Sequence, residues 1–294
     1  MFRTISFNHG FTFFVSRLEI WEILHSDRKE DESFMKKFLV SLLAIGCFAI
    51  LIVGYKHWKE KTFVAAEIKK QEIVIEPEET KVASEIYLDL TSNWPTQAQE
   101  NYQSAVEEGQ AFTILLVGST TLGTGETAWS TMVKEELEQA YGETVHVSVK
   151  QYDLTSKQFR SEDKIADLLA EQPDLTLLEP FSLNDNSSSV PVSSSQKLIE
   201  EVDSSLAEQN PEHVLLLQPT NPLYNARNYP VQVDELAAYA EENDLVYLDH
   251  WTAWPDQEDE AMEDFLVTEN NHTYPNEKGH QVWAEFLIDY FISN

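Results

Sequence analysis

Hydroxyl side chains enclosed by glycines follow the first apolar run in the C-terminal two thirds of the chain. Residues 118–123 read Gly-Ser-Thr-Thr-Leu-Gly and come directly after the apolar run 112–117. A hydroxyl at the end of a buried strand, close to the start of a helix, is one arrangement of a catalytic nucleophile. The alternative is a Gly-Ser turn in which a hydroxyl caps the helix that we expect to begin near Ala128.

An amide and an imidazole lie beside two other predicted elements. Asn184 follows the apolar run 175–178, and its amide could stabilise an oxyanion. Asn184 and Asp185 could equally form an Asx-turn. His272 lies in a turn that leads into the amphipathic segment 281–291. Imidazole titrates near neutral pH and can act as a general base, although a solvent-exposed loop histidine is the simpler interpretation.

Five short apolar runs alternate with amphipathic segments beyond residue 111. The runs are 112–117, 145–149, 175–178, 214–217 and 245–248, and the segments with helical periodicity are 128–141, 161–172, 192–209, 231–243 and 281–291. This alternation predicts an α/β fold, a three-layer α/β/α sandwich around a parallel sheet. Ligands of such sheets bind at the carboxyl ends of the strands, where the hydroxyl and amide residues lie. The Ser-rich stretch 186–195 predicts a flexible surface loop.

In this order, the three blocks resemble the SGNH/GDSL hydrolase family over about residues 111–294. That family carries a Gly-Asp-Ser block, a Gly-x-Asn-Asp block and an Asp-x-x-His-Pro-Asn-x-x-Gly-His block. The most specific match is the run Pro-Asn-Glu-Lys-Gly-His at residues 275–280. The resemblance implies a serine ester hydrolase in which Ser119 attacks and Asn184 and the Ser119 backbone N–H hold the oxyanion. It also implies that His280 packs near the turn.

The chain departs from the family pattern at several positions. The first block lacks the Asp: aligning its later glycine selects Ser119 as the nucleophile, which we prefer, whereas aligning its first glycine selects Thr120. The loop 152–156, where the family has a glycine, contains none. Tyr274 stands at the position of the catalytic His, and Asn271 stands at that of the Asp.

These departures leave two functions open. One is a weak esterase or deacetylase on acylated envelope polymers, with His272 as a displaced base, because tyrosine, with a pKa near 10, is a poor base at neutral pH. The other is a catalytically inactive SGNH-like domain that binds an acylated glycan, another envelope polymer or a partner protein. We expect no cofactor and no metal, because no two histidines have ligand spacing on one helix and residues 118–125 lack a dinucleotide-binding Gly-x-Gly-x-x-Gly pattern.

The N-terminal region carries a charge-free run at residues 38–55, close to the shortest helix that spans a bilayer. Lysines flank it, and Trp58 follows at the interface position. We predict a membrane anchor over 35–61, with the body outside the cytoplasm as in the membrane-anchored Gram-positive members that the chain resembles. A buried core helix, a signal peptide and a lipoprotein box at 44–47 are the alternatives.

Two further segments flank the predicted anchor. Residues 1–34 are either a misassigned extension or an amphipathic cytoplasmic helix, and residues 62–110 form a helical stalk or a cap on the domain.

Charge and cysteine content exclude several classes of protein. The net charge is −31, and residues 1–61 are slightly positive, so the whole acidic excess lies beyond residue 61. Nucleic-acid binding depends on Lys and Arg contacts to phosphates, so we expect no nucleic-acid partner. The single Cys47 excludes a disulfide framework and a cysteine-based zinc cluster.

Overall fold

The computed structural model describes residues 89–269 and 272–293. Its central sheet contains five strands: β1 (Phe112–Gly118), β2 (Val145–Gln151), β3 (Leu175–Leu178), β4 (Val214–Leu217) and β5 (Val246–Tyr247). All four pairings are parallel, and the strand order is β2-β1-β3-β4-β5. The predicted α/β fold with a parallel five-stranded sheet is therefore confirmed.

Eight helices surround the sheet: α1 (Thr96–Glu108), α2 (Trp129–Tyr141), α3 (Ser156–Ser161), α4 (Ile165–Leu169), α5 (Ser182–Ser187), α6 (Val192–Gln209), α7 (Tyr229–Glu242) and α8 (Glu277–Phe291). Four 3-10 turns occupy Thr120–Leu122, Gly142–Thr144, His250–Ala253 and Glu260–Phe265. A separate antiparallel hairpin of β6 (Leu266–Glu269) and β7 (His272–Pro275) precedes α8. These counts refer to the residues that the structure describes.

Alternating side chains of β1 build two cores on opposite faces of the sheet. Ile114 and Leu116 pack into one cluster, which includes residues of α1, α2 and α8. Leu115 and Val117 pack into the other, which includes residues of α3, α6 and α7. Helices therefore cover both faces of the sheet, and its carboxyl edge remains the place where loops meet.

Three local expectations need correction. The predicted helix 161–172 is shorter than expected: α3 already ends at Ser161, the chain passes through Asp163 with a φ of 56°, and only α4 lies within the predicted range. The Ser-rich stretch 186–195 is not a flexible loop throughout, because it ends α5 and begins α6, where Ser194 and Ser195 are buried. The β6–β7 hairpin was not predicted, because its strands are four residues long and mostly polar.

The region before β1 is part of the packed domain as far as it is described. Tyr102 of α1 is buried against Phe112, with ring centroids 5.7 Å apart. The Trp94 indole donates to the Phe291 carbonyl at 2.9 Å. Both contacts belong to the segment 62–110, which was expected to be a stalk or a cap.

Several N-terminal predictions lie outside the described residues. They are the extension 1–34, the anchor over 35–61 with its apolar run 38–55, and residues 62–88 of the stalk or cap. Within the part of the chain that is described, no helix is both long enough and apolar enough to cross a membrane.

Candidate active site

A cleft of about 330 Å³ opens at the carboxyl edge of the sheet. It lies between the turn after β1, the loop after β2, α5 and the β6–β7 hairpin. Hydroxyl and amide side chains dominate its walls, among them Thr120, Thr155 and Asn184, and His272 and Tyr274 line it from the hairpin. The fold therefore brings all three sequence blocks to one site.

Ser119 does not line this cleft. Its side chain is fully buried, and its Oγ lies 2.8 Å from the Thr121 Oγ1 and caps the 3-10 turn Thr120–Leu122. Its backbone N–H donates to the Glu179 Oε2 at 2.7 Å. Neither the hydroxyl nor the N–H of Ser119 is therefore placed for the nucleophile and oxyanion roles that the resemblance implied. The cause is the end of β1, which turns Ser119 towards Glu179 at the end of the neighbouring strand.

Thr120, the nucleophile of the alternative alignment, does line the cleft. It is half-buried at the start of the 3-10 turn. Its backbone N–H has no hydrogen-bond partner among the residues described here. Thr120 therefore carries, at the cleft wall, a hydroxyl and an N–H without a partner in the described residues, the kinds of group required for attack and for binding an oxyanion.

Asn184 lies on α5 and faces the same cleft. Its Nδ2 donates one hydrogen to the Leu154 carbonyl at 2.9 Å, which fixes the orientation of the amide. An amide nitrogen carries two hydrogens, so one remains for a ligand. The second amide hydrogen of Asn184 is what an oxyanion-binding role would require.

His272 and Tyr274 project from the same face of β7, with ring centroids 6.3 Å apart. His272 is solvent-exposed, and it takes part in none of the ion pairs found within residues 89–269 and 272–293. Asn271, which stands at the family position of the Asp, lies outside the described residues. The imidazole therefore reaches the cleft without an orienting carboxylate partner in the described structure.

Two other histidines are structural. His280 packs near the turn as expected. Its Nδ1 accepts from the Trp129 N–H at 3.3 Å, and its ring lies so close to Gly123 that a Cβ on Gly123 would be 2.7 Å from the His280 Cε1. Burial lowers the pKa of His280 to about 4. His250 is fully buried and stacks on Trp283 at 4.0 Å between ring centroids, so it belongs to the core rather than to the cleft.

Two buried carboxyl groups lie behind the cleft wall. The sequence pattern indicated no role for Glu179, and for Asp185 only an Asx-turn with Asn184. Glu179 accepts from the N–H of Ser119 and, at 3.1 Å, from that of Ser182. Asp185 accepts from the Ser156 N–H at 2.8 Å. Desolvation raises the pKa of Glu179, and it raises that of Asp185 to about 6. The one available signal was an acidic residue ending an apolar strand, since Glu179 follows Leu175–Leu178 directly.

The described residues contain no cluster of three or more His, Cys, Asp or Glu side chains that could hold a metal ion. The walls of the cleft are instead suited to polar groups that accept and donate hydrogen bonds.

Comparison with known proteins finds similar folds among solved structures. The sequence matches no known family model and no curated protein. A protein from Parabacteroides merdae, named as a GDSL-like lipase, matches with a TM-score of 0.50 and 13% identity, over 61% of this chain and 95% of that chain.

Two further solved structures are similar. One is a protein from Desulfitobacterium hafniense, named as lipolytic and of the G-D-S-L family, with a TM-score of 0.48 and 23% identity over 60% of this chain and 98% of that one. The other is an acetyl-xylooligosaccharide esterase from Geobacillus, with a TM-score of 0.44 and 15% identity over 61% and 94%. The domain thus shares the fold of a GDSL-like lipase, as the Parabacteroides match shows.

Proposed function

We propose that this protein is a slow acyl-ester hydrolase of SGNH type, with Thr120 as its nucleophile. The observation that supports this most is the convergence of Thr120, Asn184 and His272 on one cleft at the carboxyl edge of the sheet. This assignment replaces Ser119, which is buried and bonded away from the cleft.

The proposed reaction uses Thr120, Asn184 and His272. His272 accepts the proton of the Thr120 hydroxyl as the Thr120 Oγ1 attacks the ester carbonyl. The Thr120 N–H and the second amide hydrogen of Asn184 stabilise the oxyanion. The oxyanion collapses, the alcohol leaves with the proton from His272, and water then hydrolyses the acyl-threonine by the same sequence of steps.

Slow turnover is expected for two reasons. His272 is exposed and has no carboxylate partner in the described residues, so neither its tautomer nor its orientation is fixed. A threonine hydroxyl is also more hindered than a serine hydroxyl, because its Cβ carries a methyl group. A positioned general base typically contributes 10²–10⁴-fold, and part of that contribution is missing here.

The substrate class that we propose is an acylated glycan or another acylated polymer of the cell envelope. An open cleft with hydroxyl and amide walls suits a polyol chain better than a free fatty acid. The charge-free run 38–55 would anchor the protein as a single-pass membrane protein and place the domain outside the cytoplasm. Carbonate extraction should leave the full chain in the membrane pellet, whereas release of a fragment beginning just after residue 55 would contradict a retained anchor.

A second function is favoured by the residue at the family position of the base. Tyr274 lines the cleft there, and an aromatic side chain among hydroxyls and amides suits polymer binding without catalysis. In this case the domain binds the acylated polymer or a partner protein, and Thr120 is a wall residue rather than a nucleophile.

Turnover of a short p-nitrophenyl ester separates these functions. For the hydrolase, Thr120→Ala abolishes the measured rate, and Thr120→Ser increases it because a less hindered hydroxyl attacks. Ser119→Ala serves as the matched control and keeps a rate within a few-fold of the wild type. A rate that is equal in all four proteins would not come from this site, and the absence of any rate in Thr120→Ser would favour the binding function.

A further inference from the structure

The most completely bonded acidic side chain behind the cleft is that of Glu179. It follows β3 directly and has no exposed surface. A buried carboxyl group without partners is strongly disfavoured, so its environment must supply donors. None of the steps proposed above uses this group.

Three donors from three different elements reach the Glu179 carboxyl group. The Ser119 N–H, at the start of the turn that carries Thr120, donates to Oε2 at 2.7 Å. The Ser182 N–H, at the start of α5, donates to Oε1 at 3.1 Å. The Thr220 hydroxyl, after β4, donates to Oε1 at 2.5 Å.

Gly118 makes this approach possible. A Cβ on Gly118 would lie 2.8 Å from the Glu179 Cβ, which is closer than real Cβ atoms approach. The end of β1 therefore has no side chain where the Glu179 side chain passes. A glycine weakens a strand, and at this position it allows the close contact between β1 and Glu179.

We propose that Glu179 is a positioning residue that fixes the turn bearing Thr120 relative to the helix bearing Asn184. This inference rests on the proposed function, because those two residues form the oxyanion site of that reaction. Glu179 touches no substrate: it acts by holding two backbone segments, the turn after β1 and the start of α5, to a single carboxyl group. Misplacing reacting groups by about 1 Å can cost 10²-fold in rate.

Replacement by glutamine tests the role of the carboxyl group with almost no change in volume. Both oxygens of Glu179 accept from backbone N–H groups, whereas a glutamine offers one oxygen and one NH₂ group. In Glu179→Gln, one of the two backbone N–H groups therefore faces another donor. Either the turn or α5 has to move away.

Asp174 provides a matched control on the same strand. It precedes β3 at the opposite edge of the sheet and accepts from the Thr113 N–H at 2.8 Å, so it also joins β3 to β1 through a backbone donor. Asp174→Asn disturbs a similar bond far from the cleft. It therefore reports what the loss of such a bond costs when only stability is involved.

The experiment combines ester kinetics with amide hydrogen exchange on the full chain. We expect Glu179→Gln to lower kcat by about tenfold or more with KM within about twofold, and to speed exchange in 119–123 or in 182–187, whichever segment faces the new NH₂ group. Asp174→Asn should leave kcat and both segments unchanged. A kcat within about twofold of the wild type, or unchanged exchange in both segments, would overturn the positioning role.

The two proposals fail in different ways. If neither the wild type nor Thr120→Ser hydrolyses any ester, the proposed function fails, while the exchange pattern still decides whether Glu179 holds the two segments together. If Glu179→Gln does not fold, Thr220→Val removes only the hydroxyl donor, and the same two segments should exchange faster. Unchanged exchange in Thr220→Val would then count against the inference.

Discussion

The floor and the rim of the cleft are built in opposite ways. What we call the floor is the layer behind the cleft wall, formed by Ser119, Glu179, Ser182 and Thr220. It is buried, and donors from three elements bond to the one carboxyl group. The rim is the β6–β7 hairpin, whose two strands form a separate sheet and whose side chains are half exposed, with only Pro275 buried. The floor orients the groups that would bind an oxyanion, and the rim carries the group that would move a proton.

This difference shows which half of the chemistry the fold secures. Preorganised donors stabilise charge only when they are held in place, and the floor holds them through buried bonds. A general base needs a fixed orientation as well, and an exposed histidine on a two-stranded hairpin lacks one. We therefore expect the rim, rather than the floor, to limit activity.

The largest effect should come from repairing the rim. Tyr274→His together with Asn271→Asp restores the pair that the family resemblance places there. We expect ester turnover to rise by about 10²-fold or more, because a positioned base is worth that much. Tyr274→Phe is the control and should change the rate little. If the double variant shows no gain, the oxyanion-binding groups are misplaced as well, and the contrast between a well-ordered floor and a defective rim is wrong.

The second effect is a contrast in stability. Glu179→Leu leaves three buried donors without an acceptor, at about 1–3 kcal/mol each, so the free energy of unfolding should fall by more than about 3 kcal/mol. His272→Ala on the rim should change it by about 0.5 kcal/mol or less. Urea unfolding measures both variants. Equal losses would mean that the rim is as firmly built as the floor.

The third effect is a pH dependence that originates behind the floor. Burial raises the pKa of Asp185 from an ordinary value of 3.8 to about 6, so the folded protein holds this proton more tightly than the unfolded chain. This contribution to stability is complete below pH 3.8 and is lost as the pH rises through about 6.

Asp185→Asn should remove that contribution. Between pH 4 and pH 7, the difference in unfolding free energy between wild type and variant should change by about 2–3 kcal/mol, in the direction of a less stable wild type at high pH. A constant difference for Asp185→Asn would contradict the raised pKa.

The smallest effect concerns the surface as a whole. With a net charge of −31, repulsion between surface carboxylates opposes the compact state. Salt screens such charges over about 10 Å at 0.1 M, so the melting temperature at neutral pH should rise by a few degrees between low and moderate ionic strength. The floor is buried and should not contribute to this change. A melting temperature independent of salt would count against it.

The sequence predicted the strands that surround the floor better than the roles of the residues that form it. The apolar runs located all five strands, because a parallel sheet buries both faces of each strand. The sequence pattern favoured Ser119 over Thr120, because the contact that turns Ser119 away from the cleft comes from Glu179, 60 residues along the chain. The role of Glu179 was equally hidden, because its donors come from three separate elements.

The rim escaped prediction for a different reason. Its strands are short, and their side chains are mostly polar, so no apolar alternation marks them. A cross-strand partner such as the one that pairs with Tyr274, Val267, is visible only in the folded register. Residues that gain their role through a distant partner are therefore the ones that local patterns miss.

Covalent labelling with a fluorophosphonate tests the central claim most directly. Wild type and Thr120→Ser are incubated with the probe, digested and mapped by mass spectrometry. The account predicts an adduct on residue 120 in both proteins, formed faster in Thr120→Ser, and none in Thr120→Ala. An adduct on Ser119, or no adduct in any of the three proteins, would contradict it.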